Sequence, residues 1–120
     1  MPRGTLTKKT ALGSKTTAYA AANSADLAMV AANTTNKEQF ACSGNDLIFA
    51  HNTGASPATI TINSVADPQL GRTGDVAAFS LGAGEYAVFG PLSRAGWMQT
   101  DGYVYLEASA TDVKFGVVQL

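Results

Sequence analysis

Residues 46–63 read DLIFAHNTGASPATITIN and hold the clearest structural signal in the chain. Segment 46–52 is a short apolar run, and segment 58–63 alternates strictly, with Ile60 and Ile62 on one side and threonines on the other. Between the two segments stand Asn, Gly, Ser and Pro, the residues that turn chains. The stretch therefore predicts two β-strands joined as a hairpin.

Similar short strands are predicted through the rest of the chain. They cover about 76–80, 85–89, 103–108 and 113–119, with a tight turn SATD between the last two and a weaker strand at 27–33. The apolar residues of the last two strands are expected to share one core face: Val104, Leu106, Val113, Phe115 and Val117. The pattern predicts an all-β domain, a β-sandwich or jelly-roll-like fold of about seven to eight short antiparallel strands.

Charge divides the chain into two parts. The length of 120 residues fits one domain. Residues 1–25 carry four bases and no acid, whereas residues 26–120 carry four bases and nine acids, a net charge of 4 − 9 = −5. We predict an extended basic N-terminal arm over 1–25, which orders against a partner, and a single β-sandwich domain over 26–120. An alanine-rich helix over 17–32 is the competing interpretation.

The sequence contains no recognisable catalytic or metal-binding motif. His51 is the only histidine and Cys42 the only cysteine, while the nine carboxylates are scattered singly. A zinc site needs three or four converging ligands, which one His and one Cys do not supply. We therefore predict a non-enzymatic protein without a metal or cofactor. His51 is expected to be a structural residue on the side of Leu47 and Phe49, and Cys42 a small buried hydrophobe.

Composition also bears on location and partners. No segment approaches the roughly 18 consecutive apolar residues of a membrane span. The lone cysteine and the polar N-terminus are typical of a protein made in the cytoplasm. The acidic body disfavours nucleic-acid binding. Only 14% of the residues are charged, which suits a surface that packs against other proteins.

Seven residues are candidates for protein contacts. Tyr103 and Tyr105 alternate with the apolar residues of their strand and so face outward, and tyrosine is enriched at interfaces. Trp97 lies in a glycine-flanked loop, where it either plugs one end of the sandwich or contacts a partner. The bases of the arm complete the set: Arg3, Lys8, Lys9 and Lys15.

Several phrases of the sequence together resemble one group of viral proteins. LIFAHNTGASPATITINSVAD, GRTGD, FGPL, GWMQTDGYVYLEAS and VKFGVVQL look like the small all-β proteins encoded among the head genes of tailed bacteriophages. The similarity spans about residues 40–120 and leaves the arm outside. It implies a capsid decoration (cement) protein, made in the bacterial cytoplasm, that binds the major capsid protein on the outside of the virion. Such proteins commonly form homotrimers at threefold sites and stabilise the shell, and no residue role is carried over from them.

Two other functions remain open. A carbohydrate- or receptor-binding module of a tail would use exposed aromatics, such as those of GWMQTDGY, to stack on sugar rings. A head–tail or tail structural protein would differ from a decoration protein in its copy number per virion.

Overall fold

The computed structural model describes residues 3–11, 26–66 and 74–120. Within them the protein is an all-β sandwich, as the sequence predicted. Its elements are β1 (Gly4–Thr5), β2 (Lys8–Thr10), β3 (Val30–Ala31), β4 (Glu38–Ala41), β5 (Asp46–Asn52), β6 (Ala58–Asn63), β7 (Val76–Leu81), β8 (Tyr86–Leu92), α1 (Arg94–Trp97), β9 (Tyr103–Ala108) and β10 (Val113–Gln119).

Two five-stranded sheets form the sandwich. Sheet A has the order β1-β4-β9-β6-β7, and sheet B has the order β2-β10-β5-β8, with β3 also paired to β10. The described pairings are antiparallel except for β1 with β4 and β2 with β10, which are parallel. The strand count exceeds the predicted seven to eight because three strands of two to four residues, β1, β2 and β4, were not predicted. Such short pieces carry no periodic signal.

The period-two alternation correctly predicted which side chains enter the core. In β5, β6 and β9 every second residue is buried and the others are half-exposed. The fully buried apolar side chains come from both sheets and meet between them: Phe40, Ile48, Ile60, Ile62, Val104, Leu106, Val113, Phe115 and Val117. Burial of this apolar surface is the main stabilising force of the fold.

The predicted hairpin of 46–63 is wrong. Segment 46–52 is β5 of sheet B and pairs with β8 and β10, whereas segment 58–63 is β6 of sheet A and pairs with β7 and β9. The last two strands, β9 and β10, likewise lie in different sheets, so SATD crosses between the layers and their apolar residues face each other across the core. Among the described strands, only β6 and β7 are both consecutive and paired.

The first described residues take part in both sheets. β1 pairs with β4 in sheet A, β2 pairs with β10 in sheet B, and Leu6 between them is 8% exposed and belongs to the core. Residues 3–11 of the predicted arm are thus extended but built into the sandwich. Residues 12–25, including most of the alternative helix over 17–32, lie outside the described part of the chain.

The segment that precedes β3 covers part of sheet B. Gly116 of β10 is buried beneath it, and a Cβ atom at Gly116 would lie 2.5 Å from Met29 Sδ and 3.0 Å from the Leu27 side chain. A larger residue would displace these two side chains, so glycine lets them pack closely on β10. The predicted strand at 27–33 is reduced to the two residues of β3, because its first residues lie across the sheet face.

Candidate protein-interaction surfaces

The outward side of sheet A, which we call the polar face, carries the two tyrosines predicted to face outward. Tyr103 and Tyr105 are half-exposed on β9. In the register of the sheet, Tyr105 lies between Gln39 of β4 and Asn63 of β6. The other outward residues of these strands are mostly polar, and Lys37 forms an ion pair with Glu107 at 3.3 Å. This face is therefore polar apart from its aromatic rings.

Arg3 and Asp101 hold the Tyr105 ring in place. The guanidinium carbon of Arg3 lies 4.3 Å from the ring centroid, a cation–π contact. Arg3 Nη1 also donates to the carbonyls of Glu38 at 3.0 Å and Leu106 at 3.2 Å. The Tyr105 hydroxyl donates to Asp101, which raises the pKa of the phenol and lowers the pKa of the carboxyl. One face of Tyr105 is thus occupied within the chain.

Lys8 is bound to a carboxylate of its own chain. Its Nζ lies 3.2 Å from Oδ1 of Asp46, which is fully buried, and the Lys8 side chain is 17% exposed. The Ser43 N–H donates to Asp46 Oδ2 at 2.8 Å, and the Ser43 hydroxyl donates to Oδ1 at 2.7 Å. A buried carboxylate needs such compensation. The pair therefore fixes β2 to the start of β5.

The remaining candidate residues are Lys9, Lys15 and Trp97. Lys9 is half-buried in β2, and Lys15 lies outside the described residues. Trp97 ends α1 and packs partly buried against the core, which agrees with its role as a plug. Cys42 is half-buried, not fully buried, and also packs against the core. Contact of the seven candidate residues with a partner stays a prediction.

Glu38 is a buried acid beside Arg3. It is 3% exposed; its Oε2 accepts the Asn33 N–H at 2.5 Å, and its Oε1 has no hydrogen-bond partner. Burial raises the pKa of Glu38, opposed by the Asn33 hydrogen bond and the Arg3 charge, while the Glu107 charge adds to the rise. An unsatisfied buried oxygen costs stability when the group is ionised.

The outward side of sheet B, which we call the apolar face, differs strongly from the polar face. Phe49 of β5 lies opposite Val88 of β8 on one side and Gly116 of β10 on the other. Val88 is 56% exposed, and Tyr86 is 73% exposed. Side chains this large and exposed on adjacent positions form a contiguous hydrophobic surface, which in soluble proteins is a feature of interaction sites.

His51 lies on the apolar face with Leu47 and Phe49, as the alternation predicted. Its ring stacks on Tyr86, with centroids 3.8 Å apart and planes 8° from parallel. By register it also lies opposite Lys114 of β10. The stack supports the structural role predicted for His51.

The two lateral sides of the sandwich end differently. The closed side is formed by β1 and β2, the short strands that end sheets A and B and that carry Lys8 and Lys9, with Arg3 adjacent. The open side is formed by β7 and β8, which end the same sheets with six and seven residues. Phe79 of β7 meets Phe89 of β8 edge to face with centroids 5.5 Å apart, so the two free edges lie one above the other.

Within residues 3–11, 26–66 and 74–120, no three side chains of His, Cys, Asp or Glu converge in a way that could hold a metal ion. In the same residues, no helix is long and apolar enough to cross a bilayer.

The open side and the apolar face were missed by the sequence analysis. Their signal was the absence of polar alternation: VAAFSL in β7 contains one polar residue, a serine, and AVF in β8 contains none. A strand with apolar residues on both sides either is buried on both faces or presents one apolar face at the surface. Since the described residues form only two layers, the second outcome holds for β8.

Comparison of the chain with protein-family models, curated proteins and solved structures gave no match.

Proposed function

We propose that the protein is a non-enzymatic structural protein of a phage virion, a decoration protein that binds the outer surface of the capsid and stabilises the shell. The observation that carries this proposal is the exposed part of the apolar face around β8, which the segment before β3 does not cover. There Val88 and Tyr86, 56% and 73% exposed, present large apolar surfaces. Such a patch is expected where a protein is covered in an assembly.

The resemblance of residues 40–120 to phage head proteins supports the same function. A protein that binds only the assembled shell stabilises it by mass action, because its binding free energy is lost when the shell opens. The protein would be made in the bacterial cytoplasm and would end on the capsid surface, with the major capsid protein as its partner. This function requires a surface complementary to the capsid and no reactive side chain.

The polar face is the second surface available for the capsid. Tyr103 is half-exposed on β9, whose backbone is held between β4 and β6. Rigid tyrosines contribute contact area at a low entropy cost. In this proposal the capsid contact includes Tyr103, while Arg3 and Tyr105 hold the face in shape.

A count of copies in purified virions tests the proposal. We expect the protein in a number proportional to the capsomers, and we expect particles that lack it to release DNA at a lower temperature. Absence from the particle overturns the proposal. A few copies per particle would instead identify a head–tail or tail structural protein.

A matched pair of variants tests the contact surface. Tyr103→Ala should reduce occupancy on preformed shells, since it removes an aromatic contact. Thr59→Ala, on β6 of the same face, should leave occupancy unchanged. Equal occupancy for both variants and the wild type would exclude Tyr103 from the contact.

Carbohydrate or receptor binding is the alternative function, and the outward aromatic pair Tyr103 and Tyr105 favours it. The contact with Arg3 covers one face of Tyr105, which removes part of the surface on which a sugar ring would stack. Retention on immobilised glycans, lost in Tyr103→Ala, would favour this alternative over decoration.

A further inference from the structure

The backbone of β8 offers unpaired hydrogen-bonding groups on the open side. The Asn52 N–H donates to the Glu85 carbonyl at 3.0 Å, immediately before β8 begins. Antiparallel strands alternate between residues that bond to the neighbour and residues that point away. The N–H and C=O groups of Ala87 and Phe89 therefore point to β5, and those of Tyr86 and Val88 point to the free edge. Among the described strands, none pairs with that edge.

The closed side has the features by which proteins protect a sheet edge, and β8 does not. Protection comes from short strands, lysines, prolines and bulges. β1 and β2 are two and three residues long, and β2 contains Lys8 and Lys9. By contrast, Tyr86–Phe89 pairs regularly with β5, and the irregular pairing comes only near Gly90 and Pro91. This four-residue edge is uncharged.

The neighbouring edge of β7 is blunted by a bulge. Ile60 and Ile62 of β6 pair with Phe79 and Val76, so two residues of β7 face the single Thr61. The N–H of the bulged residue Ala78 donates to Thr61 Oγ1 at 3.1 Å. A bulge disrupts regular pairing with another strand. The edge left free for pairing on this side is thus that of β8.

We propose that β8 joins a second copy of this chain, with the two Tyr86–Phe89 segments antiparallel about a two-fold axis. Each copy then extends the other's sheet B. Identical strands run antiparallel across a two-fold axis, so the same groups donate and accept on both sides. The association does not depend on the proposed capsid function.

Charge selects a second copy as the occupant. Two copies of one chain carry the same charges, so an edge with lysines repels itself, whereas the uncharged Tyr86–Phe89 edge does not. The apolar side chains of Val88 and Phe79, 56% and 45% exposed, lie beside the contact, and the association covers part of each and leaves the rest of the apolar face exposed. The closed side ends in strands of only two and three residues, which are poor templates for further pairing, so assembly is expected to stop at two copies.

The mass of the wild-type protein and of two variants tests the pairing. By light scattering we expect two chains of 12.3 kDa each. Val88→Pro removes an N–H from the free edge without removing a bond to β5, and proline is tolerated on edge strands. Each copy loses one hydrogen bond across the axis, so the dissociation constant should rise at least about tenfold. Val88→Thr keeps the N–H and the strand preference, and it should remain dimeric.

Hydrogen exchange in the wild-type protein tests the same pairing without any variant. The amides of Tyr86 and Val88 should become protected as the protein concentration rises. The amides of Ala87 and Phe89, bonded to β5, should be protected at every concentration and serve as internal controls.

Three results would overturn the proposal. The first is a wild-type protein that stays monomeric at millimolar concentration. The second is a trimer, as the phage resemblance implies, that persists in Val88→Pro. The third is protection of the Tyr86 and Val88 amides only after another virion protein is added, which would identify that protein as the strand donor.

Discussion

The closed side and the open side of the sandwich end the same two sheets in opposite ways. On the closed side the edge strands are short, and their charged residues bind within the chain: Lys8 to Asp46, and Arg3 to Tyr105. On the open side the edge strands are longer and are held by apolar contacts such as that between Phe79 and Phe89. An edge protected by charge resists pairing with other chains, whereas an uncharged edge permits it. The difference indicates that the N-terminal strands protect one side, whereas no described strand protects the edge of β8 on the other.

The largest expected effect comes from breaking the ion pair of the closed side. Asp46→Ala removes the partner of Lys8 and of both Ser43 donors in a buried position. We expect a loss of about 3–5 kcal/mol in the free energy of unfolding, measured by urea denaturation. The control Asp26→Ala, at an exposed acid, should change it by less than about 0.5 kcal/mol. If Asp46→Ala lost as little stability as Asp26→Ala, the ion pair between Lys8 and Asp46 would not be what holds β2 in place.

A smaller loss is expected when Arg3 is removed. Arg3→Ala deletes two hydrogen bonds to carbonyls and the cation–π contact with Tyr105. The expected cost is about 1–2 kcal/mol, since each contact is partly exposed. Arg3→Lys keeps the charge but not the planar fork, so an intermediate value is expected in the same denaturation experiment. A lysine variant as stable as the wild type would show that charge alone matters.

On the open side the effect of removing an aromatic ring should be smaller still. Phe79 is 45% exposed, and Phe79→Ala loses about half the burial of a phenylalanine, a cost of about 1 kcal/mol. The measurement is made at low protein concentration, where any association is suppressed. Phe79→Leu should recover part of this loss, because it keeps apolar area but not the edge-to-face contact with Phe89. A loss as large as that of Asp46→Ala would contradict the contrast between the sides.

The smallest expected change is a gain in stability from Glu38, beside β1. Burial raises the pKa of Glu38 in the folded protein, so the protonated carboxyl favours the folded state. This contribution to the free energy of unfolding is fully present below the ordinary glutamate pKa and is lost as the pH rises through the pKa of the folded protein. Glu38→Gln does not titrate and should be more stable than the wild type near pH 7 by up to about 1 kcal/mol. Denaturation at pH 4 and pH 7 measures the difference, which should shrink at pH 4. If Glu38→Gln stabilised the protein more at pH 4 than at pH 7, the pKa of Glu38 would be lowered by folding and not raised.

Part of the candidate surface could be predicted from the sequence. Alternation in 103–108 placed Tyr103 and Tyr105 outward, and alternation in 46–52 placed His51 beside Phe49, because each depends only on the two-residue period of a strand. The contact of Arg3 with Tyr105 was out of reach, since the two residues are far apart in the chain and the short strand β1 has no periodic signal. The exposure of Val88 was missed for a different reason. An apolar residue is normally expected in the core, and its exposure can be foreseen only when it is known that no further layer of the fold covers its sheet.

The amino-acid sequence by itself determined the local structure: the all-β class, the limits of the longer strands and the side of each strand that enters the core. These follow from backbone preferences and side-chain periodicity, which act between near neighbours. The predicted limits hold for β5, β6, β9 and β10, whereas β8, predicted at about 85–89, continues to Leu92. Only the tertiary structure decided which strands pair, and it separated 46–52 from 58–63 into different sheets. The physical reason is that two strands with the same apolar period bury their residues equally well side by side in one sheet or face to face across the core. The choice is made by the packing of the whole chain.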